Sequence, residues 1–145
     1  FTGLGAPYWN SEAKGALTGI TRMTRKAEMV RAGVECIAYQ ISDVVNAMSQ
    51  DAKTEIQELR VDGGPTRNQY LMQFQSDILD RKVLVPDAEE LSGIGAAYAA
   101  GRGLGLYGDE VFTRLKRREY APKMCEDTRV RKYNGWKDAV GHVLK

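Results

Sequence analysis

Cysteine, histidine and long apolar runs are scarce in this 145-residue sequence, and each shortage excludes a class of protein. The two cysteines, Cys36 and Cys125, are too few and too far apart for a disulfide framework. The single histidine, His142, has no partner at zinc-ligand spacing, so we expect no metal site. No apolar run approaches the ~20 residues that span a bilayer, and residues 1–5 lack the features of a signal peptide. We therefore expect a cytoplasmic chain in which Cys36 is a buried, reduced thiol.

Charge of one sign is also in short supply. The formal net charge is +2, which favours neither nucleic acid nor an anionic membrane as a partner. Hydrophobic residues make up 43% and charged residues 28%, the balance of an ordinary globular domain with a real core. One short basic run, formed by Arg114 and residues 116–118, is interrupted by Glu119, so we expect a solvated face there.

Hydrophobic periodicity predicts strands alternating with helices. The long helix carries an apolar stripe at spacings of three and four, and Gly33 in its middle predicts close packing there, since glycine costs about 1 kcal/mol in a helix. Such alternation predicts an α/β layer in which helices cover a sheet. The predicted elements are a strand-like piece at 16–21, a helix from Thr24 to Gln50, strands at 59–62 and 82–86, a helix carrying Leu71, a helix capped by Ser92, and a helix at 126–144.

Residues 61–68 hold the most informative local pattern. A short strand runs into Gly63 and Gly64, and a helix follows. Two glycines let the backbone approach a ligand without Cβ obstruction, and the amide of Asn68 in the first helical turn can reach a base or ribose. On the residues alone a plain turn remains the alternative, because Gly-Gly after a strand is common in turns. The pattern makes these three residues candidates for a nucleotide site.

Residues 103–108 fit the G-x-G-x-x-G dinucleotide pattern literally. The pattern requires a preceding strand, whereas here a predicted helix precedes it. We therefore interpret this segment as a glycine-rich helix end.

Sequence pieces spread over the whole chain match one family in order and spacing. The matching pieces lie at residues 1–9, 15–20, 35–40, 59–64, 71–79, 95–98 and 133–137, with Glu28, Asn68 and Gly101 between them. On these pieces the chain resembles the FGGY carbohydrate kinases, and among them the glycerol kinases.

The resemblance implies an actin-like ATPase fold built from ribonuclease-H-like domains. Residues 1–145 would form the C-terminal nucleotide-binding domain, as an α/β unit with a mixed sheet flanked by helices, truncated on its N-terminal side and without the N-terminal domain. It also implies that Gly64 and Asn68 contact the nucleotide and that Gly63 permits the turn. The family's catalytic aspartate and polyol contacts would lie outside the chain. We therefore assign no catalytic residue and expect the isolated chain to be inactive.

The implied activity is ATP-dependent phosphoryl transfer to a primary hydroxyl of glycerol. Its cofactors would be ATP and Mg²⁺, with Mg²⁺ held mainly by the missing domain and the nucleotide. The polyol or sugar would bind through that missing domain, and a homo-oligomer is expected. Two alternatives stay open: a kinase of another polyol or a sugar such as xylulose, and a non-catalytic actin-like nucleotide-binding module.

Overall fold

The computed structural model describes residues 3–88, 91–113 and 115–144. Within these residues, none of the helices is both long and apolar enough to cross a membrane. The elements in chain order are helix α1 (Lys26–Ala52), strand β1 (Glu58–Arg60), a 3-10 helix (Gly64–Arg67), α2 (Gln69–Leu79), β2 (Lys82–Pro86), α3 (Leu91–Gly103), a second 3-10 helix (Asp109–Thr113), β3 (Arg117–Tyr120) and α4 (Glu126–Val143).

The sheet is mixed and has the order β1-β2-β3. β1 runs parallel to β2, and β3 runs antiparallel to β2. The central strand β2 turns Val83 and Val85 into the core, which satisfies the alternation expected of a strand with one covered face. The predicted mixed sheet with flanking helices is confirmed.

The core lies where α1, α2 and α4 meet the sheet. The Tyr39 ring stacks on Trp136 with centroids 5.5 Å apart and meets Phe74 edge-on at 5.4 Å. Such aromatic pairs add about 0.5–1.5 kcal/mol beyond the area that they bury. The predicted apolar side of α4 is therefore a packing surface, and Val140 on the same helix is also buried.

A buried carboxylate on α1 ties three segments together. Asp43 is 5% exposed and accepts hydrogen bonds from Tyr8 Oη at 3.0 Å, Tyr133 Oη at 2.5 Å and Trp136 Nε1 at 2.6 Å. Buried charge is tolerated only where such donors replace water. Burial and the neighbouring Asp43 carboxylate raise the pKa of Tyr8 to about 12. The N-terminal loop is thereby fixed to α1 and α4.

The packing face of α1 differs from its apolar stripe. The residues buried on α1 include Glu35, Ser42 and Asp43, whereas Val30 is 58% exposed and Met48 is 55% exposed. The buried face combines these polar residues with Ala38, Tyr39 and Val45, and its carboxylates are tolerated there because neighbouring segments donate hydrogen bonds to them. The expectation of close packing at Gly33 is wrong for the described residues, since a Cβ built there meets no atom within 4 Å.

Two predicted helix starts are displaced. Helix α1 begins at Lys26, because the Glu28 carboxylate accepts a hydrogen bond from the Arg25 backbone N–H at 2.8 Å, while Thr24 caps the preceding turn by accepting from Thr21 N. Helix α3 already includes Leu91, so Ser92 lies inside it and does not cap it.

The Cys36 side chain is half-buried, not buried, and both cysteines are free thiols.

Two strand assignments also need correction. Residues 16–21 form no strand, because no other described segment pairs with them, and Leu17 is 59% exposed. Conversely, Arg117–Tyr120 forms β3, which the charge of the basic run concealed. Charged side chains are typical of an edge strand, since they oppose further pairing. Residues 116–118 are exposed as expected, and Arg114 lies outside the described residues.

Candidate functional site

The turn after β1 presents bare backbone. Gly63 has φ +92° and ψ 176°, a conformation that is essentially restricted to glycine. Its carbonyl oxygen accepts hydrogen bonds from Thr66 N at 3.1 Å and Thr66 Oγ1 at 2.7 Å, which closes the turn into the 3-10 helix. A Cβ built on Gly63 meets only Pro65 Cδ at 4.0 Å, and one built on Gly64 meets no atom within 4 Å. The turn is open to space and not filled by side chains.

A cleft of about 470 Å³ lies beside this turn. It forms where the parallel strands β1 and β2 both end, the edge at which α/β proteins commonly bind ligands. Its lining includes two aspartates and two arginines, so charged groups of both signs face the same space. Among the described residues, the cleft is lined by Asp62, Gly63, Gly64, Thr66, Arg67, Val85, Pro86, Asp87, Ala88, Leu91, Ser92 and Arg118.

The third predicted residue, Asn68, caps helix α2. Its Oδ1 accepts a hydrogen bond from Leu71 N at 3.1 Å, which satisfies one of the unpaired amides at the helix start. Its amide nitrogen has no hydrogen-bond partner within the described part of the chain. Asn68 lines a second groove, of about 650 Å³, together with Val30, Val34 and Tyr70. The structure therefore brings Gly63 and Gly64 into one cleft and leaves Asn68 in the neighbouring groove.

A charged network stands beside that second groove. The buried Glu35 accepts hydrogen bonds from Arg31 Nε at 2.6 Å, Lys132 Nζ at 3.3 Å and Tyr70 Oη. Burial would raise the pKa of Glu35, but the hydrogen bonds from Tyr70 and Arg31 and the charge of Lys132 offset it and lower the pKa. Because the folded-state pKa is lowered, this network contributes stability above the usual glutamate pKa and loses it as the pH falls.

Sequence reasoning missed several of these residues. The i, i+4 spacing of Arg31 and Glu35 was a signal for their ion pair. No local signal marked Asp87 or Arg118 as neighbours of the glycine turn, because only the pairing of β2 with β3 brings them there. Among the described residues, no group of three acidic, histidine or cysteine side chains has metal-site geometry.

The other glycine-rich segment has the expected position. Helix α3 ends at Gly103, the first residue of the segment, and residues 104–108 follow the helix, so the interpretation as a helix end is confirmed. His142 is exposed on α4, and its Nδ1 lies 2.6 Å from the backbone oxygen of Asp138.

Comparison with known proteins places this geometry in a family. The model of the FGGY family of carbohydrate kinases, C-terminal domain, matches residues 1–104. A glycerol kinase from Petrotoga mobilis is 50% identical over 143 residues, which cover 97% of this chain and 29% of that protein. The chain thus spans 29% of the length of the curated relatives that it matches.

Solved structures give the same result. A crystal structure of Plasmodium falciparum glycerol kinase with ADP matches all of this chain and 30% of its own, with a TM-score of 0.90 at 33% identity. A ligand-bound xylulose kinase from Lactobacillus acidophilus matches 90% of this chain and 26% of its own, with a TM-score of 0.70 at 25% identity. The predicted actin-like ATPase fold is confirmed. The chain belongs to the FGGY family of carbohydrate kinases.

Proposed function

We propose that residues 1–145 are the C-terminal nucleotide-binding domain of a glycerol kinase and that Gly63, Gly64 and Asn68 contact ATP or ADP. The observation that carries the proposal is the open turn: Gly64 borders the cleft and has space where a Cβ would stand. Backbone without side chains lets a nucleotide lie against the main chain. The glycerol kinase relatives, one of them solved with ADP, support the choice of ligand.

The capping bond gives Asn68 a defined orientation in this proposal. Because Leu71 N engages its Oδ1, the amide plane is fixed and the two hydrogens on Nδ2 are left as donors. These donors would reach acceptor atoms of the nucleotide from the groove next to the glycine cleft. Asn68→Asp keeps the acceptor that caps α2 and removes the donors, so it separates the cap from the contact.

The proposed reaction is transfer of the γ-phosphoryl group of ATP to a primary hydroxyl of glycerol. Such transfer depends on positioning ATP and Mg²⁺ against a hydroxyl that an acidic residue deprotonates. Mg²⁺ held by the nucleotide would supply charge neutralisation. We assign the catalytic acid, the polyol contacts and most Mg²⁺ contacts to the part of the relatives' length that this chain does not span. The described residues would then seat the nucleotide without performing the transfer.

Calorimetric titration of the 145-residue chain with ADP tests the nucleotide seat, by which we mean the proposed contacts of Gly63, Gly64 and Asn68 with the nucleotide. We expect Gly64→Val to weaken binding about tenfold or more, which corresponds to about 1.4 kcal/mol. Gly95→Val is the matched control, because Gly95 also has open space around it but does not line the cleft. An unchanged affinity in the Gly64 variant would contradict the assignment.

Acceptor profiling of the full-length protein tests the substrate. Turnover with glycerol supports the proposed glycerol kinase. Turnover only with another polyol or with xylulose favours the second candidate, a kinase of another polyol or sugar, which the similarity to a xylulose kinase supports. Nucleotide binding without turnover on any acceptor would favour a non-catalytic actin-like module. The chain alone is expected to show no transfer in the same assay.

We further propose a homo-oligomer in the cytoplasm. Strand β1 forms one edge of the three-stranded sheet and has unpaired backbone groups within the described residues, and such an edge favours pairing between chains. The free thiols of Cys36 and Cys125 fit a reducing compartment. Sedimentation that shows only monomer at high concentration would contradict the oligomer.

A further inference from the structure

We infer that Arg118 binds a phosphate group of the nucleotide in the glycine cleft and thereby favours ADP and ATP over adenosine. The inference rests on the proposed function and extends it to a residue on β3, far along the chain from the glycine turn. Arginine suits this task because its planar guanidinium donates two parallel hydrogen bonds to phosphate oxygens.

Strand register brings Arg118 to the cleft. In the antiparallel pair of β2 and β3, Val85 stands opposite Arg118 and Val83 stands opposite Tyr120. Opposed residues share a face of the sheet, and the two valines belong to the core that packs under α2. Arg118 therefore leaves the sheet on the α2 side. Tyr120 packs against the core on that face. Arg118, two residues before Tyr120 on β3, lies on the same face and lines the cleft.

The neighbouring arginine has a different environment. Because successive side chains of a strand alternate, Arg117 and Glu119 lie on the opposite face. Glu119 forms an ion pair with Lys82 there, with Nζ and Oε1 2.9 Å apart. Arg117 does not line the glycine cleft. The two arginines thus have the same charge and the same strand but opposite faces, which makes Arg117 a matched control.

The proposed effect of Arg118 on phosphate binding depends on the other charged residues of the cleft. Asp62 and Asp87 also line this space and would repel a phosphate group. Among the described lining residues, Arg67 and Arg118 carry the opposite charge. The side chain of Arg118 is exposed and makes no ion pair or hydrogen bond with another side chain or backbone group in the part of the chain that the structure describes. Its donors are therefore available to a ligand without breaking an existing contact.

Titration with adenosine, AMP, ADP and ATP tests the inference on the 145-residue chain. We expect Arg118→Gln to weaken ADP and ATP binding roughly tenfold, because a charge-assisted contact is lost, and to leave adenosine binding within about twofold. Arg117→Gln should change none of the four affinities. Arg118→Lys should retain part of the ADP affinity, since it keeps the charge but not the bidentate geometry. Thermal unfolding of each variant verifies that the fold is retained.

The outcomes separate this inference from the proposed function. If Gly64→Val weakens ADP binding and Arg118→Gln does not, the nucleotide seat stands and the role of Arg118 is overturned. An equal loss for adenosine and ADP in the Arg118 variant also overturns it, because the guanidinium would then contact the base or ribose. If the unaltered chain binds neither adenosine nor ADP, the proposed function fails, and this inference fails with it.

Discussion

Two glycine-rich turns of this chain have opposite surroundings. At the first, a Cβ built on Gly64 meets no atom within 4 Å. At the second, a Cβ built on Gly101 would lie 2.3 Å from Cδ2 of Tyr107, and one built on Gly108 would lie 2.2 Å from Oε2 of Glu110. We call the turn at Gly63 and Gly64 the open turn, and residues 101–108 the closed turn. The open turn leaves space beside the main chain, whereas Gly101 and Gly108 at the two ends of the closed turn let side chains pack against the backbone. A Cβ on Gly103 or Gly105 between them would meet no atom within 4 Å.

The difference shows that a glycine motif must be interpreted together with the secondary-structure element that precedes it. Residues 103–108 of the closed turn satisfy a dinucleotide pattern letter by letter, but the pattern begins at the last residue of helix α3, and a Cβ at its last glycine, Gly108, would meet the Glu110 side chain. The open turn fits no long consensus, but it follows a strand and borders a cleft at the carboxyl ends of two parallel strands. Substitutions at the two turns should therefore affect stability and ligand binding differently.

The largest loss of stability is expected from Gly63→Ala in the open turn. With φ +92° and ψ 176°, this residue has a conformation that an alanine adopts only under strain, which costs about 2 kcal/mol. Urea unfolding monitored by circular dichroism measures the free energy of unfolding. A loss below about 0.5 kcal/mol, the usual range of neutral surface changes, would show that the turn relaxes easily.

A smaller loss, about 1 kcal/mol, is expected from Gly101→Val in the closed turn. The new side chain must displace the Tyr107 ring, but that ring is 47% exposed and can move toward solvent, so the cost lies at the low end for overpacking. Combining Gly101→Val with Tyr107→Ala removes the obstructing ring and should recover most of the loss. Additive losses in the double variant would contradict a clash between these two residues.

The elements with a local signature could be predicted from the sequence. Strand β2 matches residues 82–86, and α4 ends one residue before the predicted 126–144, because turn residues and apolar spacing act locally. Residues 16–21 failed as a strand because a strand needs a partner, which no described segment provides. Strand β3 was missed because an edge strand of charged residues resembles a solvated loop.

The site was predictable only where the chain itself builds it. Gly63 and Gly64 are adjacent in the sequence, so their turn could be predicted. Arg118 reaches the cleft only because of the register between β2 and β3, which no local sequence pattern specifies. On α1 the charged Asp43 is buried and the apolar Val30 is exposed, and this too depends on contacts between segments that are distant in the sequence. Tyr8, Tyr133 and Trp136 arrive from distant segments and supply its hydrogen bonds.

The smallest change in stability is expected from Gly64→Ala, and this variant separates the two turns most sharply. Gly64 has no positive φ, and its Cβ would meet open space, so the free energy of unfolding should change by less than about 0.5 kcal/mol. The same methyl group stands where the nucleotide would lie, so ADP affinity should still fall. Gly101→Val should show the reverse, lower stability with unchanged ADP affinity, because the closed turn does not line the cleft. Unfolding and titration on both variants therefore test whether an open glycine that borders the cleft, and not glycine itself, marks the nucleotide seat.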